Sequence, residues 1–150
     1  MYAFNRKKIM FTTNRENFDV VLEDSPKAVR VFFLSIILHF EQDPTTIVHY
    51  TLTNGGDLRL AVSPPTKSSK TRIRNFATLY WQNRNRVVLV RMYLTPGELA
   101  ALDFPSAIAP TRAAEPLLSE IRLSEQECGT VSPKAIAALE QAKIKMVDTF

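Results

Sequence analysis

Between Leu58 and Gly97 the chain has no aspartate or glutamate at all. Other residue types are scarce along the whole length, and each scarcity removes a class of function. A single cysteine, Cys128, permits no internal disulfide, which excludes the disulfide-stapled secreted scaffolds and suits a reducing compartment. Two histidines, His39 and His49, with that one cysteine cannot make a zinc centre of standard spacing. The four glycines form no phosphate-binding loop, and no serine carries the flanking glycines of a nucleophile elbow.

Long apolar runs are missing too. The longest, VFFLSIILHF at 31–40, is about half of the roughly 20 residues a spanning helix needs. The N-terminal MYAFNRKKIMF is basic but lacks the apolar stretch of a signal peptide. The expectation is a soluble intracellular protein, by default cytoplasmic, with no membrane span, metal or cofactor. What is present suits one domain with its own core: 150 residues, 45% apolar and 23% charged.

The missing acid has a counterpart in base. Residues 1–57 hold six basic and seven acidic side chains, and residues 98–150 hold five and eight. The block 58–97 holds Arg59, Lys67, Lys70, Arg72, Arg74, Arg84, Arg86 and Arg91, so all the excess of the net +4 lies there. Two readings stand side by side. Acids from the flanks fold over the block and neutralise it, or the block forms a basic face that attracts phosphates through counterion release.

Patterning then places the elements. IMFTT (9–13) reads as a short first strand, and NRENFDVVLED (14–24) fits a helix or a strand. Ser25-Pro26 reads as an N-cap followed by proline at the first helical position. Val29, Phe32, Phe33, Ile36, Ile37 and Phe40 share one helical face over about 26–42, with Val31, Leu34 and Leu38 as a second apolar flank. This helix is expected to be buried on most sides, although its β-branched and aromatic content also allows a buried strand.

Two hairpins follow. IVHYTLT (47–53) and LRLAVS (58–63) alternate around Asn54-Gly55-Gly56. A three-residue loop pairs Leu52 with Leu58 and Tyr50 with Leu60, which puts both apolar sets on one face, and Gly56 supplies the left-handed residue. SPPTKSSKTR (63–72) reads as a polar, basic connection. In the second hairpin (about 75–94), Asn83-Arg84-Asn85 as the loop assigns Phe76, Thr78, Tyr80, Val88, Val90 and Met92 to a core face. The other face then carries Ala77, Leu79, Trp81, Val87, Leu89, Arg91 and Tyr93.

Thr95, Pro96 and Glu98 carry the signature of a capped short helix. LLSEIRLSEQE (117–127) and SPKAIAALEQAKIKMVDTF (132–150) read as helices. The fold class is α+β: antiparallel hairpins at about 47–63 and 75–94 form a small sheet against a buried helix at about 26–42 and C-terminal helices. The organisation is a core at 1–104, a Pro/Ala-rich linker at 105–116 and a helical extension at 117–150.

Few constellations carry chemistry. Glu41, Asp43 and Asp57 read as helix-end and turn residues rather than a magnesium site. Cys128 stands beside Glu125 and Glu127, whose charge raises a thiol pKa, the opposite of what a reactive thiolate needs. What remains is the basic and aromatic set Lys67, Lys70, Arg72, Arg74, Trp81, Arg84, Arg86, Arg91 and Tyr93. Aromatic rings beside guanidinium groups are the surface that single-stranded nucleic acid uses. This set points to a non-catalytic protein that holds RNA or single-stranded DNA.

Two alternatives come from other classes. The order of a short strand, helical segments and Arg/Lys-rich strands over about 9–94 is similar to that of RelE/ParE-type toxins, at the level of element order and without a shared motif. That resemblance implies a small ribonuclease, with chemistry from Arg74, Arg91, Tyr80 or Tyr93, and residues 95–150 depart from its compact pattern. The third class is an assembly or adaptor protein. There the helix 132–150 docks on a protein partner or second copy through Ile136, Leu139, Met146 and Val147.

Overall fold

Alternation of apolar and polar residues builds one antiparallel sheet, and helical spacing supplies what covers it. The computed structural model describes residues 10–53, 55–64, 75–104, 107–108 and 118–149. Its strands are β1 (Met10–Thr13), β2 (Ile47–Thr53), β3 (Leu58–Ser63), β4 (Ala77–Gln82), β5 (Val87–Met92), β6 (Ala107–Ile108) and β7 (Ser119–Ser124). They lie in the order β1-β2-β3-β4-β5-β7-β6. The helices are α1 (Arg15–Glu23), α2 (Lys27–Glu41), α3 (Pro96–Ala100), α4 (Glu125–Cys128) and α5 (Ser132–Thr149). The α+β class is therefore the observed one, with α2 and α5 packed on the sheet. Among the described residues no helix is long and apolar enough to cross a membrane.

Side chains two apart along a strand share a face, so register decides which residues meet the helices. Leu52 opposes Leu58, Leu58 opposes Trp81, Trp81 opposes Val88 and Val88 opposes Leu123. One row on, Tyr50, Leu60, Leu79, Val90 and Ile121 are similarly aligned. Both rows pack in a single core with Phe18, Leu22, Val29, Phe32, Phe33, Ile36, Ile37 and Phe40 of α1 and α2. The ambiguous segment 14–24 is helical because Phe18 and Leu22 lie four residues apart on the buried side, and Asn14 caps it by accepting from the Asn17 N–H.

The second helix needs two corrections. Ser25 does not cap it: Pro26 is the N-cap, and the Ser25 hydroxyl donates instead to the Leu22 carbonyl at the end of α1. Nor is α2 buried on most sides, since Val31 and Leu38 are about half exposed on the edge away from the sheet-facing stripe. Thr95 and Glu98, by contrast, form the expected reciprocal capping box at α3.

Residues 119–124 are a strand, not part of a helix. Ser119, Ile121 and Leu123 alternate inward against Glu120, Arg122 and Ser124, a period of two. Pairing with β5 satisfies backbone groups that a sheet edge would otherwise expose. Helix begins only at Glu125, after Ser124, which forms a capping box with Glu127.

In α5 the buried stripe is Ala135, Ala138, Leu139, Ala142 and Met146, a spacing of one helical face. The alanines allow close approach to the sheet. Of the four residues expected on one side, Leu139 and Met146 are buried and Ile136 is partly so, while Val147 points to solvent. Polar pairs fix α5 to the end of α2: His39 Nε2 meets Glu140 Oε1 at 2.7 Å, and Lys143 Nζ donates to Asp43 Oδ2 at 2.7 Å. The Lys143 hydrogen bond holds the Asp43 carboxyl down at about 2. That stabilisation is complete above the ordinary value of 3.8 and is lost as pH falls through about 2.

Candidate nucleic-acid interface

The second hairpin decides what the acid-free block presents. Gln82 opposes Val87, so the loop is four residues, Asn83 to Arg86, rather than three. The Arg86 N–H donates to the Gln82 carbonyl at 2.8 Å and Arg86 adopts a left-handed φ of 56°. One extra loop residue changes which side chains share a face. Ala77, Leu79 and Trp81 join Val88, Val90 and Met92 under the helices, while Thr78, Tyr80, Gln82, Val87, Leu89 and Arg91 turn away.

The expected aromatic set, Trp81 and Tyr93, is thereby buried. Trp81 is 1% exposed in the core, with the Arg86 guanidinium 5.4 Å from its ring centroid. Tyr93 is buried beyond the end of β5, and Lys145 Nζ lies 5.1 Å from its ring centroid. Neither offers a stacking surface. Tyr80, assigned to the core from sequence, instead lines the opposite face. Phe76, Val88, Val90 and Met92 are core as expected.

The basic residues divide. Arg84 is exposed at the hairpin tip. Arg86 Nε donates to Glu125 Oε1 at 2.8 Å, and Arg91 Nε donates to Glu120 Oε1 at 2.7 Å. Acids from the C-terminal third thus neutralise two arginines of the block, as the first of the two charge readings foresees. Arg59, Arg84 and Arg122 have no ion pair with any described residue. Lys67, Lys70, Arg72 and Arg74 lie outside the described residues.

Among the described residues, six of the face turned away from the helices line a depression of about 420 Å³: Arg59, Thr78, Tyr80, Gln82, Leu89 and Arg91. No carboxylate lines it among the described residues. Register explains the gathering, because Arg59 opposes Tyr80, Tyr80 opposes Leu89 and Thr78 opposes Arg91. The Tyr80 hydroxyl donates to Asp57 Oδ2 at 3.1 Å, and the Asn83 N–H donates to Asp57 Oδ1 at 2.9 Å. Asp57, only 2% exposed, is therefore a clasp between the two hairpins rather than a simple turn residue. Gly56, with φ 84°, brings the first turn against the second, so that a Cβ there would sit 3.5 Å from Asn83 Nδ2.

No family model, curated protein or solved structure matches this chain. Two guanidinium groups and the amide of Gln82 suit an anion or a polar edge, while Tyr80 and Leu89 suit a flat apolar face.

Other titratable groups have structural partners. Glu41 accepts from the Tyr50 hydroxyl and from Arg15, and burial, reinforced by Glu41, pushes the Tyr50 phenol upward. Asp43 is held by Lys143 and Thr45. Cys128 is buried, and burial with Glu127 and Glu125 pushes its thiol up to about 12. His49 Nε2 lies 2.8 Å from Ser63 Oγ.

Of the residues that line the depression, Arg91 was expected in the nucleic-acid-binding set, and Arg91 and Tyr80 in the ribonuclease alternative. Arg59 was countable in the basic block, and the correct first-hairpin register already turns it away from the apolar set. Tyr80, Gln82 and Leu89 were hidden by the loop length of the second hairpin.

Proposed function

We propose that the protein binds single-stranded nucleic acid, RNA or DNA, without catalysis, on the sheet face turned away from its helices. The observation that carries this reading is the depression in which Arg59 and Arg91 flank Tyr80, with no carboxylate among the described residues that line it. Guanidinium groups attract phosphates, and a ring beside them takes a base at about 1–3 kcal/mol per stacked base. Arg84 adds an exposed cation, and Lys67, Lys70, Arg72 and Arg74 add long-range attraction for a polyanion. Glu120 opposes binding while it holds Arg91, so a phosphate must compete for that guanidinium. A single cysteine, which permits no internal disulfide, fits a reducing intracellular or cytoplasmic setting.

Anisotropy titration of labelled single-stranded oligonucleotides tests this. Binding at about 50 mM salt is expected to weaken steeply toward about 200 mM. Arg59→Glu is expected to weaken it about tenfold or more with an unchanged circular dichroism spectrum. No detectable binding at low salt overturns the proposal.

A ribonuclease reading keeps one specific support: Tyr80 and Arg91, two of the residues it needs, line the same depression. Its other named tyrosine, Tyr93, is in the core. RNA that stays intact during long incubation with the protein removes it. A protein partner on α5 has as support the exposed Ile144 and Val147, and light scattering against a chain ending at residue 130 examines it.

A further inference from the structure

Helix α2 is apolar on two opposite faces, and the core uses only one of them. Val29, Phe32, Phe33, Ile36, Ile37 and Phe40 are buried, whereas Val31 and Leu38 on the other side are 47% and 50% exposed. A helix that is apolar all round belongs in an interior, so this second stripe calls for a cover that the described residues do not supply. Lys27, Val31, Leu34, Leu38 and Glu41 follow one another at spacings of four, three, four and three. That is the heptad pattern by which two helices pack along each other. Glu41 and His39 lie on opposite flanks of α2, being two residues apart. Glu41 pairs with Arg15 of α1, and His39 pairs with Glu140 of α5, so the seam faces outward between those two helices.

We infer that this seam binds a second copy of the chain, with the two α2 helices antiparallel about a two-fold axis beside Leu34 and Ser35. The seam is self-complementary in that orientation. Val31 of one copy meets Leu38 of the other, Leu34 meets its counterpart near the axis, and Lys27 lies against Glu41. A parallel pairing sets Lys27 against Lys27 and Glu41 against Glu41, and it also aligns the two helix dipoles. Lys27 is exposed and has no ion pair with any described residue. Glu41 also holds Arg15 and Tyr50, but Arg15 is shared with Asp19, so that cluster keeps one net negative charge. Glu23 and Asp24 belong to the end of α1 and its cap, outside the seam. Ser35 is small enough to let the helices approach, and its hydroxyl already donates to the Val31 carbonyl at 2.8 Å. Burying it therefore leaves no donor without a partner.

The size of the seam sets the strength of the pairing. A helix of 15 residues is about 22 Å long, and two of them face to face bury about 600–900 Å² in total. Stable specific interfaces bury about 1,200–2,000 Å². The dimer is thus a weak one, with Kd on the order of 10–100 µM. Because the seam is on the helical side of the sheet, pairing leaves the depression on the other face open.

Sedimentation equilibrium of the full chain from about 1 to 500 µM tests the inference. The average mass is expected to rise from one chain toward two. Leu38→Glu and Val31→Glu, at half-exposed positions, are each expected to raise Kd about tenfold or more. Their urea midpoints, measured at low concentration where the monomer dominates, are expected to stay unchanged. Lys27→Glu is expected to raise Kd about threefold. Ser35→Cys treated with a short bis-maleimide is expected to give a covalent dimer, and Asn85→Cys at the exposed hairpin tip is not. The native Cys128 is buried and does not compete. A chain that stays monomeric throughout overturns the inference, as does a dimer that Val147→Glu dissolves and Leu38→Glu leaves intact. Cross-linking of Asn85→Cys as readily as Ser35→Cys overturns it too.

Discussion

The two hairpins are built from similar material and differ at their turns. The first has two glycines in its loop, and Gly56 occupies the left-handed conformation its closure needs. The second has no glycine, and Arg86 takes a left-handed φ in its place. Glycine adopts that conformation at almost no cost, so Asn54-Gly55-Gly56 announces both the loop length and the register. Asn83-Arg84-Asn85-Arg86 announces only that a turn exists. A loop one residue longer than expected then moves Trp81 into the core and brings Tyr80 to the surface.

The comparison breaks most sharply at Trp81. If the second hairpin has the register described, Trp81→Ala removes a fully buried ring and is expected to cost about 3–5 kcal/mol, measured by urea unfolding. The mirror substitution, Tyr80→Ala, is expected to cost far less stability and to reduce oligonucleotide binding. A reversed pattern would restore the three-residue loop and overturn the depression as a site.

That contrast shows what could be read from sequence and why. The α2 helix was legible because its six buried residues repeat at one helical face over four turns. The first hairpin was legible because a glycine pinned its loop. The strand at Ser119–Ser124 was not, since LLSEIRLSEQE fits a helix in isolation and becomes a strand only because β5 offers an unpaired edge. The candidate site depends on both misread regions. Tyr80 and Leu89 needed the second loop, and Arg122 needed β7. Charge distribution, which does not depend on register, singled out forty residues that include all six described at the depression but could not say that Glu120 and Glu125 would neutralise part of them.

The next test concerns what couples the two hairpins. Asp57 belongs to the first and receives hydrogen bonds from Tyr80 and Asn83 of the second. Asp57→Ala removes the acceptor of the part-buried Asn83 N–H and Tyr80 hydroxyl bonds, and a loss of about 1–3 kcal/mol is expected in thermal or urea unfolding. Tyr80→Phe removes one of the two bonds and is expected to cost roughly 0.5–1.5 kcal/mol. Equal, negligible effects would mean that the hairpins hold their relative position through the core alone.

The smallest net effect should come from the turns themselves, where two left-handed positions should respond unequally to substitution. Gly56→Ala places a Cβ at φ 84° and is expected to destabilise by about 1–2 kcal/mol, since the space near Asn83 is adequate and backbone strain is the whole penalty. Arg86→Gly works in the opposite direction at a position of the same kind. It relieves the strain of a left-handed arginine, worth about 1 kcal/mol. It also removes the guanidinium that lies over Trp81 and pairs with Glu125, contacts worth roughly as much at a half-exposed position. The net change is therefore expected to be within about 0.5 kcal/mol of zero. Arg86→Gly combined with Glu125→Gln separates the terms. With the ion pair already absent, replacing Arg86 by glycine should come out more favourable than in the Glu125 background, by whatever the pair is worth. If the replacement is equally costly in both backgrounds, the arginine is held there by its contact with Trp81, and the core residue rather than the turn sequence sets the loop.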